Sequence, residues 1–65
     1  MLVSISTLRK ERHYTQEYLA KRLGVSQTTV SGWEAGRVVP AMKNIIALAN
    51  LFGKTVDDIC ACFKR

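Results

Sequence analysis

Two short helical patterns joined by a very short connection constrain the fold of this sequence more than any other feature. An apolar stripe at helical spacing ends at Gly24, and Ser26 is suited to cap a second helix that runs from residue 27 to about residue 35. Only Gly24 and Val25 separate the first helix from that cap. So tight a turn requires a residue that tolerates a positive φ, which Gly24 supplies, and it makes the two helices cross steeply.

Capping residues and apolar periodicity predict three more helices, and no segment alternates like a strand. The sequence therefore predicts an all-α fold with five helices. Their expected limits are Ser4 and Arg12, Thr15 and Gly24, Ser26 and about Ala35, Pro40 (in the first turn) and Gly53, and Thr55 (in a capping box with Asp58) and about Cys62. Met1 to Val3 precede the first cap, and the sequence leaves open whether they form a short extended edge or lie against the core.

The length and charge of the chain limit its class. The 65 residues contain no Gly/Ser-rich stretch or repeat, so we expect a single domain over residues 1–65 with no separate ligand-sensing domain. Ten Lys and Arg residues against five Asp and Glu residues give a net charge of +5, which favours a polyanionic partner. No apolar run approaches the roughly 18 residues that span a bilayer, and a signal peptide is not evident. We therefore expect a soluble, cytoplasmic protein.

The chemistry-bearing residues favour neither catalysis nor metal binding. Cys60 and Cys62 lie two positions apart on a predicted helix and point in opposite directions, so we expect two free thiols and leave a redox or intersubunit role open. His13 is too distant in sequence to complete a zinc site with them. The chain shows no paired acids, no nucleophile with a base and no phosphate loop. We predict no metal, no cofactor and no enzymatic activity.

A set of short motifs follows in a fixed order along nearly the whole chain. These motifs are Leu8-Arg9, Thr15-Gln16, Leu19-Ala20, Leu23-Gly24-Val25-Ser26, Glu34-Ala35-Gly36, Pro40 and Gly53-Lys54-Thr55. In this order and spacing, the chain resembles the lambda-repressor-like helix-turn-helix family of Cro and repressor (XRE-type) proteins. The resemblance implies a compact five-helix DNA-binding domain, with a helix-turn-helix at residues 15–35, that acts as a transcriptional regulator, with repression the favoured role.

Packing requirements support this arrangement independently. Ala20 must be small because the next helix crosses there, and Val30 fills the space beneath the turn. The resemblance also implies a salt bridge between Arg9 and Glu34 that joins the first helix to the end of the third. The alternative is two solvated surface charges of little energetic value.

The resemblance places the third helix in the major groove with its first, second, fifth and sixth residues towards the bases. In this chain those residues are Gln27, Thr28, Ser31 and Gly32. Gln27 can bind adenine, Thr28 offers a hydroxyl and a methyl group, and Ser31 discriminates little. Gly32 departs from the longer side chains common in the family. It either lets the helix lie deeper, for example against a thymine methyl group, or is only a packing feature.

Phosphate contacts are expected on both sides of the third helix. The resemblance implies that Gln16 reaches a phosphate and braces Gln27. Thr15 and Thr29 could add hydroxyl contacts or only cap and solvate their helices, and Arg37 and Lys43 are placed to face the DNA backbone.

The aromatic residues and His13 have structural interpretations. Trp33 and Tyr14 fall at core positions of the resembled family, so we do not expect them to stack on bases, whereas Tyr18 could border the DNA backbone. His13 stands at the end of the first helix where the family prefers glycine. We expect His13 to adopt the left-handed conformation.

Assembly is expected to follow from the C-terminal run, which is apolar for a chain end. Its candidate dimer residues are Ile59, Cys60, Cys62 and Phe63, and the alternative is that Ile59 and Phe63 only close the core. A symmetric homodimer would bind double-stranded DNA at an inverted-repeat operator. A protein-interaction adaptor with the same fold is the competing function, but the polar residues at 27, 28 and 31 argue against it.

Overall fold

The computed structural model describes residues 4–63, and within this range the fold is all-α with five helices. The helices are α1 (Ile5–Glu11), α2 (Gln16–Leu23), α3 (Gln27–Glu34), α4 (Met42–Phe52) and α5 (Val56–Ala61). The predicted fold class is confirmed. The question left open for Met1 to Val3 lies outside the described residues. No helix in residues 4–63 has the length and apolar character needed to cross a bilayer.

Four helices begin at the predicted caps because a side-chain oxygen accepts a hydrogen bond from a backbone N–H group one turn ahead. At α5 the bond is reciprocal, since Asp58 accepts from the Thr55 backbone at 3.3 Å while the Thr55 hydroxyl accepts from Asp58 N at 3.0 Å. The other three caps are Ser4 for α1, Thr15 for α2 and Ser26 for α3. The first residues of these four helices are therefore set by nearby residues in the sequence.

The predicted start of α4 is wrong. Pro40 is not in its first turn, because the helix begins at Met42 and the capping position is Ala41, whose backbone is extended. Pro40 is buried two residues before the helix. The ring of Pro40 restricts the preceding residue to extended geometry and itself packs in the interior, so it ends the loop and does not open the helix.

Four helices of the described residues are followed by a left-handed residue, which is glycine after α2, α3 and α4 and His13 after α1. Gly24 ends α2 with φ +70°, as predicted from the tight turn. His13 follows α1 with φ +61°, which confirms the expectation for this position. Histidine is one of the few residues with a side chain that visits this region with any frequency.

The core forms where α1, α2, α3 and α4 pack together. Helix α5 packs against α4 and adds Ile59 to this core. Ala20 and Val30 are both buried, as the crossing of α2 and α3 requires. Trp33 is 3% exposed and therefore cannot stack on a base. Tyr14 packs at the edge of the same core, with its ring 4.6 Å from that of Tyr18. The described core residues are Ile5, Leu8, Leu19, Ala20, Val30, Trp33, Ile45, Leu48, Ala49, Phe52 and Ile59.

Candidate nucleic-acid interface

The N-terminal half of α3 presents polar side chains outward. Gln27 and Thr28 are exposed and Ser31 is half-buried, while Val30 and Trp33 occupy the opposite face and are buried in the core. This division follows from the helical period of 3.6 residues, which places Gln27, Thr28 and Ser31 on one side of α3 and Val30 and Trp33 on the other. The structure therefore brings three of the four predicted base-reading residues together on one accessible surface.

Gln16 links the start of α2 to the start of α3. The Gln27 side-chain amide donates to Oε1 of Gln16 at 3.5 Å, and the Gln16 amide donates to Oε1 of Glu34 at 3.0 Å. The first contact is at the long limit for a hydrogen bond, so it orients Gln27 without locking it. Gln16 thus braces Gln27, as the resemblance implied.

Arg9 and Glu34 form the salt bridge that the resemblance implied. Arg9 Nε and Nη2 donate to the two Glu34 carboxylate oxygens at 2.7 and 3.3 Å, and Arg9 Nη1 donates to the Tyr14 carbonyl at 2.7 Å. The two side chains are only 11% and 9% exposed. The alternative of two solvated charges is therefore wrong. A forked, largely desolvated pair of this kind holds the last residue of α3 against α1.

The charge state of Glu34 follows from its surroundings. Burial by itself would raise the pKa of Glu34, but hydrogen bonds from Arg9 and Gln16, with the positive charges of Arg9 and Lys10, outweigh burial and lower that pKa. The carboxylate is therefore ionised and accepts bonds from both α1 and α2 at neutral pH. The result is a continuous polar chain from Arg9 through Glu34 and Gln16 to Gln27.

Gly32 differs from the exposed residues Gln27 and Thr28 of α3 in its burial. It is buried, and a Cβ at this position would come within 3.6 Å of the Val38 side chain. That distance is ordinary van der Waals contact. The loop after α3 therefore packs where a side chain at residue 32 would project. The base-reading role of Gly32 stays a prediction, and Val38 is a neighbour that the sequence did not identify.

The candidate phosphate-binding residues surround this face but do not all have free groups. The Thr15 hydroxyl accepts a bond from Tyr18 N at 3.0 Å, and the Thr29 hydroxyl is 2.8 Å from the Ser26 hydroxyl. The Thr15 hydroxyl thus caps α2, and the Thr29 hydroxyl is hydrogen-bonded to Ser26, the residue that caps α3. Arg37 follows α3 and Lys43 occupies the second position of α4, and both are exposed. Their predicted contacts with phosphate remain predictions.

The predicted dimer residues separate into two groups. Ile59 is 0% exposed and belongs to the core of the protomer, so it has no surface to offer a second subunit. Cys60, Cys62 and Phe63 are half-buried against that core. Both cysteines are free thiols. Burial and the negative charge of Asp58 raise the pKa of Cys62, whose thiol donates to the Asp58 carbonyl at 3.5 Å.

Sequence reasoning missed a second arginine contact, made by Arg12, the capping residue at the end of α1. Arg12 Nη2 donates to the carbonyl of Phe52, the last residue of α4, at 2.9 Å. The guanidinium carbon also lies 6.0 Å from the centre of the Phe52 ring. The two residues are 40 positions apart, so no local pattern could have indicated the contact.

Comparison with known proteins identifies the family. The family model described as helix-turn-helix matches residues 5–59, which is most of the chain. No solved structure is significantly similar to the chain.

Three curated relatives show how far the similarity extends. The chain is 36% identical over 55 residues to the HTH-type transcriptional activator BcrR of Enterococcus faecalis, which covers 85% of this chain and 27% of BcrR. It is 33% identical over 61 residues to the HTH-type transcriptional regulator AnsR of Bacillus subtilis, covering 94% and 53%.

The third relative comes from a phage. The chain is 29% identical over 56 residues to the cryptic phage CTXphi transcriptional repressor RstR of Vibrio cholerae, covering 86% of this chain and 50% of RstR. The chain thus spans about a quarter of BcrR and about half of AnsR and RstR. None of the three is named as an enzyme, in agreement with the prediction from the sequence. With the family model matched from α1 to α5, this chain belongs to the Cro/C1-type helix-turn-helix family.

Proposed function

We propose that this chain is a sequence-specific DNA-binding domain of a transcriptional regulator, with α3 lying in the major groove. The observation that carries the proposal is the exposed polar half of α3 held in place by the Arg9, Glu34 and Gln16 network. A helix can read base edges only if its orientation is fixed relative to the rest of the domain. The three relatives described above are all named as transcriptional regulators, activators or repressors.

Gln27, Thr28 and Ser31 are the side chains proposed to contact bases. The Gln27 amide has the paired donor and acceptor that match adenine N6 and N7. The Thr28 hydroxyl and methyl groups suit a base edge or a thymine methyl group, and the Ser31 hydroxyl adds a contact of low discrimination. Gly32, at the sixth position of α3, has no side chain with which to contact a base. It is proposed to contribute to recognition through its backbone and through Val38, which packs beside it.

Contacts with phosphates are proposed to set the register of α3 on the duplex. Gln16 begins α2, where free N–H groups and the helix dipole favour an anion. Thr15, Thr29, Arg37 and Lys43 extend these contacts on either side of α3. The net charge of +5 supports association with the DNA backbone.

We further propose that two copies bind an inverted-repeat operator. The centres of the two half-sites would then be about 34 Å apart, one turn of the duplex. With Ile59 in the core, the proposed contact between the copies narrows to Cys60, Cys62 and Phe63, which remain partly exposed. Repression is the proposed outcome, because a protein bound over a promoter blocks polymerase without needing a further contact with it, and the relative RstR is named a transcriptional repressor.

Selection of binding sites from randomised duplex DNA tests this function. The wild-type protein, Gln27→Ala and Asn50→Ala are compared, since Asn50 is an exposed amide on α4 that lines a groove with Arg22 and Leu23 at the end of α2. We expect an inverted repeat for the wild type. Gln27→Ala should relax one adenine position in each half-site at a cost of about 1 to 3 kcal/mol, whereas Asn50→Ala should change nothing.

The salt dependence separates phosphate contacts from base contacts. Lys43→Ala should weaken binding to all sequences alike and reduce the slope of log K against log salt by about 1. Enrichment of no sequence, with only weak salt-sensitive binding, would contradict the proposal and favour the adaptor function.

A further inference from the structure

Val38 occupies the position beside α3 where a side chain at residue 32 would stand. A Cβ at Gly32 would lie 3.6 Å from Cγ2 and 3.9 Å from Cβ of Val38. The backbone amides of Arg37 and Val38 both donate to the Gly32 carbonyl, at 3.0 and 3.4 Å. The loop is therefore hydrogen-bonded to the last turn of α3, and Val38 packs at ordinary contact distance from a Cβ at residue 32, where a longer side chain would compete with it.

The position of Val38 extends the exposed face of α3. Thr28 and Gly32 are four residues apart, so they lie one turn from each other on the same side of the helix. Thr28 is exposed, and Val38 stands over Gly32 with 52% of its own surface still accessible. An apolar side chain thus follows Thr28 along the surface that the proposed function places in the major groove.

We propose that Val38 is a specificity-determining residue that contacts the 5-methyl group of a thymine, with Gly32 as the site on which it rests. This inference rests on the proposed function. Valine has no hydrogen-bonding group, and the thymine methyl group is the one apolar feature that a base pair presents in the major groove. The domain therefore replaces a base-reading side chain at residue 32 with a side chain from the following loop.

Deoxyuridine, which is thymine without the methyl group, tests the contact directly. Each thymine of one half-site of the selected operator is replaced in turn, and the affinities of the wild type, Val38→Ala and Val39→Ala are measured. Val39 is the matched control because it is the adjacent valine and is 63% exposed. At one position, deoxyuridine should lower the DNA affinity of the wild type and of Val39→Ala about fourfold, which corresponds to the loss of one buried methyl group. The affinity of Val38→Ala should be nearly unchanged by the same replacement.

A second variant tests the role of Gly32. Gln is a better helix former than Gly, so Gly32→Gln should fold, and its side chain should displace Val38. We expect the dependence on the thymine methyl group to disappear in Gly32→Gln. It should persist in Gly32→Ala, because a Cβ alone makes only ordinary contact with Val38.

The possible failures are distinguishable. If the wild type selects an operator but no thymine position separates it from Val38→Ala, the inference is overturned and the proposed function stands. The same holds if Val39→Ala behaves like Val38→Ala, or if Val38→Ala weakens binding equally on all duplexes, which would assign Val38 to the DNA backbone. If the wild type selects no operator, both proposals fail.

Discussion

Two helix pairs in this domain, α2 with α3 and α4 with α5, are joined by nearly the same turn. Gly24 and Gly53 have φ and ψ of +70° and +32° in one turn and +64° and +34° in the other. The capping residues that follow, Ser26 and Thr55, differ by only a few degrees, with φ and ψ of −81° and 156° against −82° and 161°. The backbone conformation of the turn therefore does not distinguish the pair that we propose binds DNA, α2 with α3, from the pair α4 with α5.

The hydrogen bonds of the two turns also correspond. Val25 N donates to the Ala20 carbonyl at 3.0 Å, and Lys54 N donates to the Ala49 carbonyl at 2.9 Å. Each bond closes the end of a helix in the same six-residue pattern. The residue after glycine differs, because Val25 packs against the core whereas Lys54 is exposed.

The second helices of the two pairs, α3 and α5, differ in surface chemistry. The first turn of α3 contains no acidic residue and is followed by an exposed polar face, whereas the first turn of α5 carries Asp57 and Asp58. Two carboxylates at the start of a helix stabilise it but repel phosphates. Helix α5 also buries Ile59 completely in the core. Surface chemistry, and not the backbone geometry of the turn, thus distinguishes α3, which we propose contacts the bases, from α5, which completes the core.

Placing on α3 an acidic residue like those of α5 should produce the largest effect on operator affinity. Thr28 and Asp57 both occupy the second position of their helices. Thr28→Asp should reduce affinity for the selected operator by at least about 100-fold, because a carboxylate would face the DNA. Its thermal stability should be unchanged or slightly higher, since the acid complements the helix dipole. Titration by fluorescence anisotropy and thermal unfolding measure the two properties.

The reverse exchange, Asp57→Thr, is the control. It should change operator affinity by less than about threefold and should destabilise the domain by about 0.5 kcal/mol through loss of the favourable charge at the start of α5. Thr28→Asp lowers the net charge by one and Asp57→Thr raises it by one. A loss of affinity for Thr28→Asp matched by an equal gain for Asp57→Thr would therefore mean that total charge, rather than the position of the charge on α3, governs binding.

The next comparison is between the stabilising contacts of two arginines. Arg9 on α1 pairs with Glu34 at the end of α3, and Arg12 at the end of α1 donates to the carbonyl of Phe52 at the end of α4. Arg9→Met leaves the Glu34 carboxylate without its main partner in a largely buried site, so the free energy of unfolding should fall by about 3 kcal/mol. Arg12→Met removes one partly buried hydrogen bond from an otherwise exposed side chain and should cost about 1 kcal/mol. Urea unfolding of both variants measures the difference, and similar losses would contradict the assigned importance of the salt bridge.

The acid stability of the α3 anchor should depend on Glu34. Its pKa in the folded protein lies below the ordinary value of 4.5. The stabilisation from this group is therefore complete above about pH 4.5 and is lost as the pH falls through the lower, folded pKa. Between about pH 7 and pH 3, unfolding free energy should fall further for the wild type than for Glu34→Gln. Parallel pH profiles for the two proteins would show that other groups govern the acid transition.

The smallest predicted difference concerns the two turns themselves. Gly24→Ala and Gly53→Ala should each destabilise the domain by about 1 kcal/mol, because both positions require a positive φ. A Cβ at Gly24 would meet nothing within 4 Å, and one at Gly53 would only approach Arg12 Nη2 at 3.8 Å. Denaturant unfolding should therefore give values that agree within a few tenths of a kcal/mol. A difference above about 1 kcal/mol between the two losses in unfolding free energy would show that the side chains around the two glycines, and not their backbone angles, govern the cost.

Features that depend on neighbouring residues were predictable from the sequence. The caps at Ser4, Thr15, Ser26 and Thr55 act over a single turn, so residue type and spacing suffice to locate them. The start of α4 was not located, because Ala41 carries no side-chain cap and Pro40 is compatible with either side of the boundary. The Arg9 and Glu34 pair came from the resemblance and not from any local pattern.

The sequence by itself determined the helices, the left-handed turn at Gly24 and the polar composition of α3, since each rests on local backbone preferences and helical period. Only the tertiary structure decided which side chains meet: it buried Ile59, joined Arg12 to Phe52 and placed Val38 over Gly32. The physical reason is that these contacts depend on how the helices cross in space, which packing of the whole core sets and no short stretch of sequence encodes.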